Sequence, residues 1–447
     1  MTARLLAALE AAGFDAAEVF VKSGRSQSVA LGGEVEGACA ARERGWAVRA
    51  GSAGRALFVT GSGEPPESPS GWPEPVAGTL RLPPPRPVPA WRSPADLDAP
   101  LLGEAEGFEL LNTVTRRLQD QLPGSRLLRG ALEDGGSESR VTSSRGVDRP
   151  WRGRGSTILL EAGMETADGW AGAVLEDWAP AARALVPDRL AARLADRLAV
   201  EFAAPLAGRE RGDVVLAPPA AARLLAGLTP LFVGREAETH WRAYRDRSGR
   251  LGSEAVRVVD DGRAAIGLPA PVDGEGMPTR RVVLVEAGRP RQPLLAWEQA
   301  EPPSTLASGC TRRPGWRDLP ARGPTHLYLQ GDAELSPASV LGAVQRGFYL
   351  FEAFAGGRVD LAADRFALPV TGFALRDGRV DRAFRRAWLH GAISAFLHGV
   401  AAAARDTRLF PLDGMIGAPT LRVGGLELTG WDGDAWATAA ADPPTQP

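Results

Sequence analysis

The pattern of apolar and polar positions divides the chain into strand-like and helix-like stretches. Residues 1–15, MTARLLAALEAAGFD, carry a five-residue apolar run before Glu10 and predict a short amphipathic helix ending at Gly13. From 18 to 60 the pattern changes to short alternating runs, AEVFVKSG, QSVALGG, EVEGACAARE, WAVRAGS and RALFVTG, separated by glycine-containing turns. Alternation of period two sends successive side chains to opposite faces, so these runs predict strands. Residues 61–100 are rich in Pro, Gly and Ser, with PPPRPVP at 83–89, and read as a stiff extended connection. Helical spacing returns over 104–122, where Phe108, Leu111, Val114 and Leu118 share a face. Strands are predicted at 126–133, 138–144 and 155–163. A helix follows at 187–203 on the stripe Leu190, Leu194 and Leu198.

A new segment opens with DVVLAP at 213–218, a buried strand, followed by PAAARLLAGLTPLFVG. Pro219 suits the first turn of a helix, and Pro230 breaks or kinks that helix about four residues earlier. Strands are predicted at 255–260, 280–286, 325–330, 368–375 and 419–429, and helices at 336–346 and 380–404. No repeat of fixed period is present. The expected fold class is α+β. An N-terminal α/β lobe with a mixed sheet occupies 1–205, including the Pro-rich connection 61–100; a C-terminal strand-rich domain with flanking helices occupies 206–447.

Composition narrows the chemistry. The 447 residues fit about two or three domains. With 44% apolar and 24% charged residues, a sizeable core is expected and global disorder is excluded. Of 52 basic residues, Lys22 is the one lysine, and Asn112 is the one asparagine. Both types have AT-rich codons, so a GC-rich genome accounts for their scarcity. Selected arginine clusters for phosphate or nucleic acid are the alternative, and a net charge of −2 opposes a generally basic protein. A P-loop is excluded, because Lys22 is not in a glycine loop. Cys39 and Cys310 form no disulfide framework and lack CxxC spacing, which suits a reduced, cytoplasmic setting. The N-terminus does not read as a signal peptide, and the apolar stretch 391–404 is too short to span a bilayer.

Several groups are candidates for catalysis. The histidines are His240, His326, His390 and His398, and no HExxH or HExxxH occurs. His390 and His398 fall on the helix predicted at 380–404 and could hold a metal with Cys310; surface or satisfied core histidines are the ordinary alternative. No GxSxG elbow is present. Cys310, in ASGCTRRPGW, precedes two arginines that could lower its pKa, or it is a buried, inert thiol. Asp260 with Asp261, and Asp273 with Glu275, could serve acid/base or metal chemistry, against the commoner reading of turn-forming Asp beside Gly. The arginine tripeptides at 115–117, 279–281 and 384–386 lie on different predicted elements and read as solvated faces. No direct nucleic-acid binding is expected.

Several stretches in order resemble the TldD/TldE (PmbA) family, two-subunit peptidases also called modulators of DNA gyrase. They begin with AEVFVKSGRSQSVALGGEVEGACAARERGWAVRAGSAGRALFVT and DVVLAPPAAARLLAGL. They continue with VDGEGMPTRRVVLVEAGRP, GPTHLYLQGDAELSPASVLGAVQRGFYL, FALPVTGFALRDGRV and IGAPTLRVGGLELTG. The resemblance covers most of the chain, with 61–100 unmatched. In the TldD-type subunit the helix after the DVVLAP-like strand carries HExxxH, and a late cysteine completes the zinc site. Here Ala226, Gly227 and Leu231 stand at the His, Glu and His positions, and LFPLDGM before IGAPTLRV lacks cysteine. The family's Thr–Gly–Asn turn is replaced by LASGCTRRPGW.

The resemblance therefore implies the metal-free TldE-type subunit, with no cofactor of its own. Its partner would be a TldD-like HExxxH subunit holding zinc, and its substrate an unstructured peptide, as in leader-peptide removal during maturation of ribosomal peptide natural products. Asp273, Glu275, Arg280 and Arg281 are the candidates for a peptide-facing or structural element, because they lie in the most family-like stretch. Two other readings remain: a stand-alone peptide-binding or regulatory homodimer, and an enzyme whose site has moved to His390, His398, Cys310 or the acidic pairs.

Overall fold

The structure is a computed structural model that describes residues 2–33, 36–90, 96–167, 169–268, 270–300, 308–412 and 414–431. Parts of two predicted features, the strand run at 34–35 and the Pro-rich connection at 91–95, lie outside the described residues, as do 301–307 and 432–447.

The first half begins with α1 (Thr2–Ala11), then β1 (Ala16–Leu31), β2 (Gly37–Ser52), β3 (Arg55–Ser62) and β4 (Val76–Ala77). After the connection come α2 (Glu104–Gln121), β5 (Arg126–Ser143), β6 (Asp148–Thr166), β7 (Gly169–Ala179) and α3 (Pro187–Glu201). The strands form one seven-stranded sheet in the order β4-β3-β2-β1-β5-β6-β7. The short runs read from the sequence are fused into long strands. Gly24, taken as part of a turn, pairs with Glu43 inside the β1–β2 ladder, and Gly135 pairs with Ser26 and Gly155 across its two neighbours.

Every neighbouring pair in this sheet is antiparallel, which corrects the mixed sheet expected here. The physical reason is connectivity: β1 and β2, β2 and β3, β5 and β6, and β6 and β7 follow one another along the chain with too few residues between them for the crossover that a parallel pair needs. Helices α2 and α3 cover one face. Leu111, Val114 and Leu118 of α2 meet Leu190, Leu194 and Leu198 of α3 over Val29, Leu132, Ile158 and Leu160 of the sheet. All six helical residues are essentially fully buried, each worth about 1.5–3 kcal/mol of transfer free energy. Both stripes match the sequence reading.

The connection has no N–H at its prolines and little sheet to join, so its carbonyls need other donors. Arginines supply them: Arg55 Nε donates to the Pro75 carbonyl at 2.8 Å, Arg149 Nη2 to Arg86 at 2.7 Å and Arg154 Nη2 to Pro100 at 2.9 Å.

The second half opens with β8 (Arg209–Leu216), α4 (Pro218–Gly227), α5 (Ala237–Tyr244), β9 (Val258–Asp261) and β10 (Arg281–Glu286). Next are β11 (Arg289–Pro290), β12 (Thr311–Arg312), β13 (Ala321–Arg322), β14 (His326–Leu329), α6 (Pro337–Gly342), β15 (Arg346–Ala353) and β16 (Arg358–Asp360). The last are β17 (Arg365–Arg376), β18 (Arg379–Gly391), α7 (Ile393–Gly399), β19 (Val400–Ala403), β20 (Arg408–Leu412), β21 (Gly414–Ala418) and β22 (Leu421–Gly430). The order β15-β8-β22-β18-β17 closes on itself because β15 also pairs with β17. A six-stranded sheet, β11-β10-β9-β14-β21-β20, lies beside it. The parallel pairs of the molecule are here, β8 with β15 and β14 with β21. The architecture is α+β.

The helix predicted at 380–404 is corrected. Residues 379–391 form β18, followed by the short α7 and then β19. Phe384, Ala387 and Leu389 are buried there, and β18 is hydrogen-bonded on both sides, to β17 and β22. The alanine and leucine content favours a helix locally, but pairing on two edges overrides that weak preference.

Candidate functional site

Between the helix-covered sheet and the second half lies a cavity of about 1270 Å³. Its walls come from Val29 of β1, Ile158 of β6, Arg193 and Arg197 of α3, Arg223 of α4, Glu352 of β15 and Phe410 of β20. Ion pairs hold the walls together. Asp177 is shared by Arg193 and, at 3.0 Å, by Arg408 from the second half. Arg197 of α3 pairs with Glu352 of β15, and Trp178 Nε1 donates to the Leu409 carbonyl at 2.7 Å. Burial raises the Glu201 carboxyl above its usual range, against the pull of Arg386 and Arg385.

A smaller cavity of about 410 Å³ adjoins it, lined by Ala226 and Gly227 together with Arg223, Phe354, Val359 and Leu412. Helix α4 ends at Gly227, and a single 3₁₀ turn at Thr229–Leu231 follows, as Pro230 foretold. Leu231 is fully buried in the core and lines neither cavity. A Cβ on Gly227 would meet Val359 Cγ2 at 2.6 Å. Ala, Gly and Leu offer no metal-ligating atoms. Among the described residues no three His, Cys, Asp or Glu side chains are grouped to hold a metal. The donor set at these three positions does not fit a zinc ion.

The four residues singled out in VDGEGMPTRR line neither cavity and do not converge. Asp273 is buried and organises a turn: Oδ1 accepts the N–H groups of Glu275 and Met277, both at 2.9 Å, and Oδ2 accepts that of Thr311 at 3.1 Å. Burial, then the Glu275 charge, pushes its pKa up to about 7 against these three bonds. Glu275, also buried, reaches across to the first half. Its Oε1 accepts from Arg49 Nη2 at 2.8 Å, and its Oε2 from Trp297 Nε1 and Thr311 Oγ1, both at 3.1 Å. Arg280 is half-buried, and burial and the nearby Arg86 hold its pKa below the usual value. Arg281 is exposed and donates to Gln330 Oε1 at 2.8 Å.

The segment read as divergent, around Cys310, belongs to the same contact between halves. Arg313 Nη2 meets Glu18 Oε1 at 2.6 Å, and Arg49 grips Glu18 with Nε at 3.1 Å and Nη2 at 2.6 Å. Arg313 also lies 4.6 Å from the Phe20 ring centroid. Trp316 packs on Gly45, where a Cβ would come within 2.1 Å of the indole. Cys310 is fully buried; burial and the charges of Asp273 and Asp260 push its thiol up, which agrees with the buried, inert thiol and not with the alternative of a pKa lowered by its arginine neighbours. Asp260 is likewise buried, accepts from His326 N at 2.8 Å and Thr325 Oγ1 at 2.9 Å, and is pushed by burial up to about 7.

His390 and His398 do not share a helix: His390 is on β18, 3.2 Å from Glu427, and His398 is in α7. His326 is buried and held neutral, with its pKa lowered to about 4 by burial. The residues the sequence did not single out are Asp177, Arg197 and Arg223. Only Arg223 carries a local signal, as the single charged residue in the α4 sequence PPAAARLLAG.

A strand-rich α+β chain with a large cavity between a helix-covered sheet and a closed β-structure defines the class. The sequence profile of the PmbA/TldA metallopeptidase C-terminal domain matches residues 209–430. The chain belongs to the TldD/TldE (PmbA) family. Its fold is similar to that of TldE from Thermococcus kodakarensis, at 18% identity and a TM-score of 0.81, covering 93% of this chain and 97% of that one. It is also similar to a protein described as a DNA gyrase modulator from Thermotoga maritima, at 16% identity and a TM-score of 0.76, covering 96% and 99%. A protein of the same description from Bacteroides thetaiotaomicron matches at 13% identity and a TM-score of 0.74, covering 95% and 97%. No curated protein sequence matches significantly. No described helix is long and apolar enough to cross a membrane.

Proposed function

We propose that this chain is the metal-free, TldE-type subunit of a two-subunit metallopeptidase acting on unstructured peptides in the cytoplasm. One observation carries the reading: α4 presents Ala226 and Gly227, not ligands, to the cavity beside the large chamber. The zinc, its activated water and the general base would come from a TldD-like partner with HExxxH. This chain would contribute a chamber wall on which an extended peptide is held, by main-chain hydrogen bonds that tolerate many sequences. Leader-peptide removal from ribosomal peptide natural products is the pathway class this fits, with no role for nucleic acid. The test is co-expression with a HExxxH neighbour, followed by size exclusion and metal counting. A heterodimer with one zinc, held by the partner, and proteolysis only in the mixture are expected. Peptide cleavage by the repurified chain alone, abolished by one of its own point substitutions, would overturn the proposal.

A further inference from the structure

Charge is unevenly matched in the chamber. Asp177 is engaged by Arg193 of its own half and by Arg408 of the second half, and Glu352 by Arg197 across the chamber. Arg223 has no hydrogen-bond or ion-pair partner among the described residues, although it is only partly exposed. It lines both cavities, as do Phe354, Ala355 and Leu412, and so stands where the two join. Beside it are apolar groups: Leu224 on its own helix, Ala226 one turn on, and Leu412 from β20. Across the chamber, the sheet wall carries Glu133 and Glu176, both exposed and without an ion-pair partner among the described residues.

A guanidinium presents donors in a rigid planar fork that matches a carboxylate bidentately. Apolar neighbours lower the local dielectric and strengthen such a pair, and a partly buried cation without a counter-charge has desolvation still to be offset. The carboxylates on the opposite wall would repel an anion there; of the chamber's other arginines, Arg193 and Arg197 are engaged by Asp177 and Glu352, and Arg386 lies over the Trp431 ring and beside the Glu201 charge, which leaves Arg223 as its place. The geometry points to Arg223 as the anchor for a carboxylate of the peptide held in the chamber. This rests on the peptide-binding reading above and adds to it a ligand class, a carboxylate-bearing peptide, and a direction, with that carboxylate toward α4. The group is either the peptide's C-terminus or an Asp or Glu side chain; both present the same planar anion.

The test uses the full chain and four fluorescein-labelled peptides of one unstructured Ser/Ala/Thr sequence: free C-terminus, C-terminal amide, amide with an internal Glu, and amide with an internal Gln. Binding is read by anisotropy for wild type, Arg223→Gln and Arg223→Lys. At least one carboxylate peptide should bind wild type about tenfold tighter than its neutral match, which corresponds to about 1.4 kcal/mol. Arg223→Gln should abolish that difference, and Arg223→Lys should keep part of it, a point charge replacing the fork. Whether the free C-terminus or the internal Glu shows the preference identifies the source. Equal binding of charged and neutral peptides, or a preference that survives in Arg223→Gln, overturns the anchor while leaving the peptide wall standing. If no peptide binds wild type at all, the peptide wall fails and the anchor with it. Circular dichroism of both variants checks the fold, and the charge-retaining Lys variant keeps the test decisive if the Gln variant does not fold.

Discussion

Glu18→Gln should loosen the contact between the two halves far more than any surface ion pair could. Glu18 is 1% exposed, and its carboxylate accepts three bonds from Arg49 and Arg313, the latter also 1% exposed at its side chain. Gln keeps one acceptor oxygen, places an amide donor against a guanidinium and leaves the buried Arg313 with no hydrogen-bonded counter-charge, the Glu275 charge alone remaining nearby. Removing one member of such a buried pair costs about 3–5 kcal/mol. The exposed pair Arg140–Asp148, near half exposure on both sides, is the control, worth about 0–1 kcal/mol. Arg313→Met leaves Glu18 its bonds to Arg49, and Arg49 also has Glu275 at 2.8 Å. The double variant should therefore be less damaged than Glu18→Gln alone, with a coupling of about 1–3 kcal/mol.

A chain of this size need not unfold in one step, so local opening is the quantity to read. Hydrogen exchange of amides at 44–48 and 311–317 should speed up at least about a hundredfold in Glu18→Gln, since each tenfold is about 1.4 kcal/mol. Exchange there within threefold of wild type, no different from Arg140→Gln, would refute the reasoning. The pH dependence has a definite sign. Burial raises the Glu18 pKa, but Arg313 and Arg49 outweigh it and the net shift is downward. Its contribution is present above the unfolded carboxyl pKa of about 4.3 and is lost as pH falls through the lower folded value.

Asp260 behaves in the opposite sense. Its folded pKa is raised to about 7, so wild type loses stability as pH rises from the unfolded value of about 3.9 towards 7, by at most about 1.4 kcal/mol per pH unit. Asp260→Asn, which keeps a carbonyl acceptor for His326 N, should make the denaturant-midpoint profile shallower over that window, the raised Asp273 keeping part of the slope; an unchanged slope would sink the assignment. Ala226→His, Gly227→Glu and Leu231→His together should bind well below one zinc per chain by mass spectrometry of the metal. Gly227 has no room for a side chain against Val359, and position 231 is sealed in the core. Stoichiometric zinc in the triple variant would show that the packing is not the obstacle.

Helices α2 and α3 were legible because their apolar stripes repeat over four or five turns and point at one partner surface. The 379–391 segment was not, because its apolar residues satisfy both periods and only the neighbouring strands β17 and β22 decide between them. Gly24 read as part of a turn because glycine commonly ends a strand, and Gly135 fell between the strands predicted at 126–133 and 138–144; here both sit inside ladders. The chamber left little trace in the sequence. Its walls bring Val29, Arg197, Arg223 and Phe410 together from remote parts of the chain, and the Glu18–Arg313 bond joins residues 295 apart. In the family-like VDGEGMPT run, Asp273 fixes the turn and Glu275 ties it to Arg49.

Codon bias can exchange lysine for arginine anywhere, and many arginines here do ordinary work, such as holding carbonyls of the Pro-rich connection. It does not explain α4. Histidine, glutamate and cysteine have compositionally balanced codons, and glutamate is common elsewhere in the chain. The structure adds a packing argument that composition lacked. Val359 stands where a side chain on Gly227 would go, Pro230 lies in the 3₁₀ turn that follows the helix, and Leu231 is core. A site emptied by three substitutions alone would leave a helix still shaped for ligands. Here the backbone and its neighbours are built around apolar residues, and the one charge left on the helix, Arg223, faces the chamber. This apolar packing of α4 is what the metal-free reading proposed above requires.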